Sequence, residues 1–300
     1  MEFRNIVIAN PAKLNIKLDQ LCITQNKNEV LISIDDISTL MVESQQVQLS
    51  ATVLQRLAVD GVTVFFCDQR HLPSAQILPI SQYSRKKKLL YAQFETAKPL
   101  QKRLWQTIVK QKITNQALCL RLSGNVGCGY LMELASRVRS GDPDNVEATA
   151  AAYYFKHLFA ENFTRDGDYI QNAELNYGYA IIRGAVARNL VMHGLEPAIG
   201  LHHCNDLNQY NLADDLMEPF RPIVDLMVAT TKPESYDELT PSMKRKLFNL
   251  TNLLVSQNGK RYRVMSAINR SAASLASSIV ETENKLELPT LIELEEGRFE

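Results

Sequence analysis

Along the first 80 residues apolar positions come in short runs: NIVIA, KLNIK, QLCIT, EVLISI, TLMVES and VTVFFC. They are rich in Val, Ile and Thr, and turn residues such as Asn26-Lys27-Asn28 and Asp60-Gly61 punctuate them. Such runs predict β-strands, the last at 62–67. The stretch SATVLQRLAVDG (50–61) has a different period. It sets Val53, Leu54, Leu57 and Ala58 on one side of a helix, with Ser50 as cap and Gly61 as stop. After His71-Leu72-Pro73 the texture becomes helical almost to the end, and helices are expected over 81–97, 99–118, 127–139, 144–161, 172–194, 212–229, 241–257 and 263–284. Pro73 and Pro79 mark a linker. The fold class is therefore α+β: a small N-terminal β-rich domain (1–78), a larger all-α C-terminal domain (79–286) and an acidic tail (287–300). The tail contains Pro289 and Gly297 and is expected to be extended or loosely held.

The chain of 300 residues is long enough for real cores, and 45% hydrophobic with 22% charged residues is ordinary for a soluble globular protein. The start, MEFRNIVIANPAK, has no signal-peptide pattern, and no apolar run approaches the ~20 residues of a membrane span. Five cysteines, at 22, 67, 119, 128 and 204, are scattered and never spaced CxxC. A reducing bacterial cytoplasm with buried thiols is expected, without a membrane or a structural zinc.

Net charge is zero, but its distribution is uneven. Residues 81–113 hold nine Lys/Arg against one acid, and residues 240–270 hold seven against none. Between them, 114–239 hold nine bases and seventeen acids. Two basic stretches around an acidic centre suit an enzyme that grips phosphates with its arms and cations in its middle; solvated helix faces are the alternative.

Three places carry candidate chemistry. In SGDPDNVEATAAAYYFKHLF, Asp144 and Glu147 have capping-box spacing, yet Glu147 shares a helical stripe with Ala151, Tyr154 and Leu158. A carboxylate on an apolar stripe needs a partner, and a metal is one candidate. In GLHHCN (200–205) consecutive histidines point apart, so one at most is a ligand. In LADDLMEPFRPIVD, Asp215 and Glu218 are neighbours on one helical face, and Pro219 and Pro222 restrain the backbone. Two carboxylates and an imidazole favour Mg²⁺ or Mn²⁺ over zinc. Nucleophilic catalysis by Cys204 is the weaker competitor.

These segments also match more than a ligand set. SGDPDNVEATAAAYYFKHLF, LNYGYAIIRGAVARNLVMHGLEPAIGLHHCN and LADDLMEPFRP resemble three signature blocks of the CRISPR-associated integrase, the universal first protein of the adaptation module. NPAKLNIKLDQLCI, IDDISTLMVESQQVQLSATVLQRLAVDGVTVFFCD and HLPSAQILP resemble its type II branch, so the likeness runs across most of residues 1–270. The resemblance implies an N-terminal domain that makes a homodimer and a helical catalytic domain. It implies Glu147, His203 and Glu218 as catalytic metal ligands, with Asp215 as a further carboxylate for Mg²⁺ or Mn²⁺. The implied reaction is insertion of short foreign DNA (prespacers) into a CRISPR repeat by 3′-hydroxyl attack on a phosphodiester. The implied partners are double-stranded DNA and the small second universal CRISPR-associated protein, with two integrase dimers around one companion dimer. Candidate DNA contacts are Arg85, Lys86, Lys87, Lys88, Lys102, Arg103, Tyr177, Arg183, Lys260 and Arg261. A stand-alone metal-dependent nuclease acting on branched DNA and a non-catalytic DNA-binding scaffold are the competing readings.

Overall fold

The computed structural model describes residues 4–78, 86–231 and 239–296. The chain divides into two compact units, one ending at Ser84 and the next beginning at Arg85; the expected boundary near 79 falls outside the described residues.

The first unit contains β1 (Arg4–Ile8), β2 (Lys13–Lys17), β3 (Gln20–Gln25), β4 (Asn28–Ser33), β5 (Ile37–Val42), β6 (Gln48–Leu49), α1 (Ala51–Val59), β7 (Thr63–Cys67) and β8 (Pro73–Ile77). They form two four-stranded sheets, β1-β5-β7-β8 and β4-β3-β2-β6. β1, β5 and β7 run parallel, and all six residues of β5 are buried. A parallel strand covered on both faces reads as a continuous apolar run, here ISTLMV. Two-residue turns join β2 to β3 and β3 to β4, with Leu18, Asp19, Asn26 and Lys27 all at positive φ, the type I′ hairpin geometry. Ser50 caps α1 as expected, accepting the Val53 N–H. One expectation fails: the last strand is β8, which pairs antiparallel with β7. Pro73 opens that strand at the sheet edge, where its missing N–H costs no ladder bond.

The second unit is built on two long buried helices. It runs α2 (Lys86–Phe94), α3 (Lys98–Leu122), α4 (Cys128–Arg137), α5 (Val146–Leu158), α6 (Ile170–Met192), α7 (Asn211–Met217), a 3₁₀ turn (Glu218–Phe220), α8 (Arg221–Thr230), α9 (Pro241–Phe248), a second 3₁₀ turn (Asn249–Asn252), β9 (Leu254–Gln257), β10 (Lys260–Arg263) and α10 (Val264–Glu281). α3 packs against α4, α5 and α8, and α6 packs against α7, α8, α9 and α10. At Gly178 the approach of α6 to α8 is so close that a Cβ would lie 2.4 Å from Val224 Cγ1. No helix among the described residues is long and apolar enough to cross a membrane. Cys22, Cys67 and Cys119 are buried, whereas Cys204 is exposed.

The helix expected over 241–257 stops at Phe248, because Asn258 and Gly259 at positive φ turn β9 into β10. Asn-Gly is the strongest short hairpin signal, and here it overrides helical periodicity. The tail is extended but not loose over its described part. Ser256 and Thr290 form a backbone bridge, Glu287 O accepts from Ser271 and Gln257 side chains, and Leu291 is buried. Asn115 of α3, fully buried, donates to Pro289 O and Pro219 O and accepts from the Leu291 N–H.

Glu174 on α6 is 6% exposed. Burial, opposed only by Lys246, raises its carboxyl to about 7. A raised carboxyl opposes folding once pH exceeds the unfolded value, and the penalty is complete above the folded one. Glu174→Gln should therefore stabilise the protein by about 1–3 kcal/mol at pH 8 and by little at pH 4. Urea unfolding at both pH values checks this; equal effects would mean that packing, not ionisation, sets the difference.

Candidate metal and nucleic-acid site

Glu147 stands in the first turn of α5. The helix start is held by Asp142, whose two carboxylate oxygens accept the N–H groups of Val146 and Glu147, each at 3.0 Å. This corrects the capping box expected from Asp144. That carboxylate is engaged by the Arg139 guanidinium through two bonds of 2.8 and 2.7 Å, so the cap passes to Asp142. Glu218 opens the 3₁₀ turn between α7 and α8, where Pro219 interrupts the helix as the sequence predicts.

Both glutamates converge on Lys112 of α3. Its Nζ lies 2.5 Å from Glu147 Oε1 and 2.5 Å from Glu218 Oε2. The second contact is an ion pair that leaves Glu218 Oε2 buried against the ammonium. The other oxygen of Glu218 accepts from Arg221 at 2.9 Å. Burial alone would raise the Glu218 carboxyl, but Arg221 and Lys112 outweigh it and hold it at about 2. Lys112 shows the mirror image: burial would lower its pKa, and the charges of Glu218 and Glu147 raise it instead.

The histidine pair sits on the tight turn before α7. At Gly200 a Cβ would fall 2.2 Å from His203 O and 2.9 Å from Asp215 Oδ2, so the turn requires glycine. Asp215, fully buried, accepts the N–H groups of Leu201, His202 and His203 and also contacts His203 Nδ1 at 2.7 Å. A carboxylate only accepts, so Nδ1 carries a proton, and in the neutral ring Nε2 keeps its lone pair. The hydrogen bond from Asp215 raises the His203 pKa, burial opposes this, and the charges of Asp215, Glu218 and Asp214 add to the rise. The two rings stand 84° apart. His202 stacks on Trp105 with centroids 4.2 Å apart and planes within 1°, while His203 meets that indole edge-on. One ring is thus committed to packing and the other is left for chemistry.

Asp215 has both oxygens engaged by the turn and by His203. It therefore fixes the turn and orients the His203 imidazole. Among the described residues no group of three or more His, Cys, Asp or Glu side chains is gathered to hold a metal. The expected cluster of Glu147, His203 and Glu218 is thus not gathered, and the Lys112 ammonium lies against both carboxylates instead. The donors themselves fit a hard divalent ion: two carboxylates, one of them buried and held ionised, and an imidazole whose Nδ1 is bound by Asp215.

Beside this centre lies a polar cavity of about 410 Å³, lined by Lys112, Gln116, Phe155, Arg165, Tyr179 and Arg221 among others. A neighbouring cavity of about 340 Å³ shares Arg165, Tyr179 and Arg221 and adds Arg183. Arg165 is held by the carboxamide oxygens of Asn172 and Asn176, and Arg183 lies 5.1 Å over the Tyr210 ring. Arg221 is kept in place from two sides, by Glu218 and by the Tyr179 ring 4.2 Å beneath it. Tyr179 and Tyr154 donate to Asp225, whose carboxyl burial raises to about 6.

The candidate DNA contacts divide. Lys87, Lys88, Lys102 and Arg103 are exposed and Lys86 is half-buried, while Arg85 lies outside the described residues. Tyr177 is 2% exposed and packed into the interior of α6, so it has no surface with which to meet a nucleic acid. Lys260 and Arg261 are exposed on β10, but Arg261 is paired with Glu295 of the tail at 2.8 Å. Trp105, Lys112, Asn115 and Asp142 belong to the site, and the first three carry no sequence signal of their own. For Asp142 the signal was available in the SGDP turn, where positive-φ residues precede the helix.

The family model for CRISPR associated protein Cas1 matches residues 6–235. The CRISPR-associated endonuclease Cas1 of Neisseria meningitidis serogroup C (strain 8013) is 40% identical over 304 residues, covering 100% of both chains. Among solved structures, a casposase bound to integration product superposes with a TM-score of 0.76 at 20% identity, over 95% of this chain and 92% of that one. A Cas6-RT-Cas1–Cas2 complex gives a TM-score of 0.68 at 15% identity, over 94% of this chain and 35% of that one. Sequence and fold together make this chain a member of the CRISPR-associated protein Cas1 family.

Proposed function

We propose that this chain is a divalent-metal-dependent DNA integrase and endonuclease of CRISPR adaptation, of the type II branch. The observation that carries the proposal is the meeting of Glu147 and Glu218 on one cationic centre, with the charge of Glu218 felt at His203, whose Nδ1 is bound by Asp215. Glu147, Glu218 and His203 are the residues that would hold Mg²⁺ or Mn²⁺. When bound, such an ion supplies Lewis acidity and neutralises charge on a phosphodiester.

The chain's own residues supply the rest. Asp215 presents His203 in the tautomer a ligand needs, and Asp142 fixes the helix turn that carries Glu147. Arg221 keeps Glu218 ionised. Arg165 and Arg183 offer guanidinium groups to phosphates beside the centre, while Lys87, Lys88, Lys102 and Arg103 offer charge without sequence readout. In the proposed joining step, the 3′-oxygen of the incoming DNA bonds to phosphorus as the bond to the departing 3′-oxygen breaks. One ester is exchanged for another, and the proton lost by the attacking hydroxyl ends on the departing one. The endonuclease relative favours a second use of the same site, with water as the attacking group. The small companion protein, an N-terminal homodimer contact and the assembly of two dimers around one companion dimer belong to the same proposal, supported by the Cas1–Cas2 complex among the structural relatives.

The test is strand joining. The protein and its companion are incubated with a short duplex bearing free 3′-hydroxyls and a repeat-containing plasmid. Joined product with Mn²⁺ or Mg²⁺ and none with chelator is expected; metal-independent joining would overturn the reading, and binding without product would favour a scaffold.

The histidine pair gives a second, sharper check. His203→Ala is expected to weaken Mn²⁺ binding by roughly 10–100-fold, because it removes the oriented nitrogen. His202→Ala should leave Mn²⁺ affinity near the parent's and lower only stability, through the lost stack on Trp105. Calorimetric Mn²⁺ titration of both variants decides, and the reverse pattern would exchange the two roles.

A further inference from the structure

Among the described residues Lys112 is the one cation that touches both proposed ligand carboxylates. Its side chain is 10% exposed, and its Nζ lies 2.5 Å from an oxygen of each. A cation bridging those oxygens would need that same space. Charge points the same way. Lys112 and Arg221 already balance Glu147 and Glu218, so adding a dication with Lys112 still in place would leave two surplus positive charges in a buried setting.

The side chain has somewhere else to go. Gln116 lies one helical turn along α3, on the same face as Lys112, and is 2% exposed. Its Oε1 is a buried acceptor without a hydrogen-bond partner. Lys112 and Gln116 line the same cavity of about 410 Å³, which gives the lysine room to swing. A buried carbonyl oxygen left without a donor is costly, and one on a side chain that lines the same cavity as the lysine offers it a second partner.

We propose that Lys112 is a displaceable internal counter-cation: it holds Glu147 and Glu218 together until a divalent ion takes its position, and then moves to Gln116 Oε1. This rests on the metal reading above and gives it a second state. Metal affinity is then set by competition with Lys112, so the lysine acts as a positioning and gating residue that never needs to touch DNA.

The experiment is Mn²⁺ titration, by calorimetry and by the EPR signal of free Mn²⁺, on full-length parent, Lys112→Met, Gln116→Met and the double variant. Removing the competing charge should tighten Mn²⁺ binding in Lys112→Met by about tenfold or more. Gln116→Met should weaken it by about tenfold, the worth of a hydrogen bond to a charged group, and should have no effect when Lys112 is already methionine. Unchanged or weaker binding in Lys112→Met overturns the inference and leaves the metal reading standing. Absence of Mn²⁺ binding in every protein, the parent included, overturns both. Should Lys112→Met not fold, a crystal structure of the parent with Mn²⁺ on Glu147 and Glu218 gives the same answer. Withdrawal of Nζ from at least one carboxylate is expected, and retention of both contacts overturns the inference.

Discussion

Glu147→Gln is expected to lower DNA strand joining by roughly 10²–10³-fold, the loss that follows removal of one group stabilising developing charge in a transition state. Glutamine keeps the shape and can still accept from Lys112, and the Glu147 side chain is 21% exposed, so the fold should survive. DNA affinity should stay near the parent's, because the exposed charges of Lys87, Lys88, Lys102 and Arg103, proposed to meet phosphates, are untouched. Gel-resolved joining and fluorescence anisotropy on the same preparations separate the two quantities. Joining at close to the parental rate would remove Glu147 from the metal set. A large loss of affinity with an intact rate would make it a structural residue instead.

Glu218→Gln should fail differently, by costing stability. This carboxylate is buried against Lys112 and Arg221, and neutralising it leaves two buried cations short of a counter-charge, a loss of about 3–5 kcal/mol. The pH dependence identifies the cause. The carboxyl is depressed to about 2, so its contribution of about 3 kcal/mol is present above the unfolded value and disappears as pH falls from near 4.5 toward 2. Chemical denaturation at pH 7 should show the full deficit of the variant, and the gap should narrow steadily below pH 4.5. A pH-independent gap would assign the loss to packing alone.

Much of this fold can be read from the order of residues, and the parts that cannot share a physical reason. Strands such as TLMVES and the Ser50-capped helix are governed by local periodicity and chemistry, and they form where those predict. The helix break at Glu218-Pro219 is likewise local. The hairpin at Asn258-Gly259 was legible too, but an apolar spacing over 241–257 that suits a helix hid it. The tail is different: its acidic composition suggests a loose end, whereas its order comes from bonds to Ser256, Ser271 and Asn115 that no local rule reveals. The same holds for the site. Glu147, His203 and Glu218 stood out through block resemblance, while Lys112 looked like one more charge in a basic run. Its role depends on α3 meeting α5 and the 3₁₀ turn, and contacts between distant segments leave no trace in spacing. The burial of Tyr177 is hidden for the same reason, since helical period alone does not tell which face of α6 is covered.

Asn115 sets a constraint of hydrogen-bond parity. Its carboxamide meets two carbonyls with its amide hydrogens and the Leu291 N–H with its oxygen, so it reads acceptor and donor partners in fixed places. Aspartate would present oxygen to two carbonyls, and leucine of similar bulk would strand all three backbone groups. Because one of those carbonyls belongs to Pro219, immediately after Glu218, and another to Pro289 of the tail, the C-terminal segment and the backbone beneath the proposed ligand are spelled by a single side chain. Any change there is felt at both ends, one carboxamide bridging positions 115 and 289 across a separation of 174 residues.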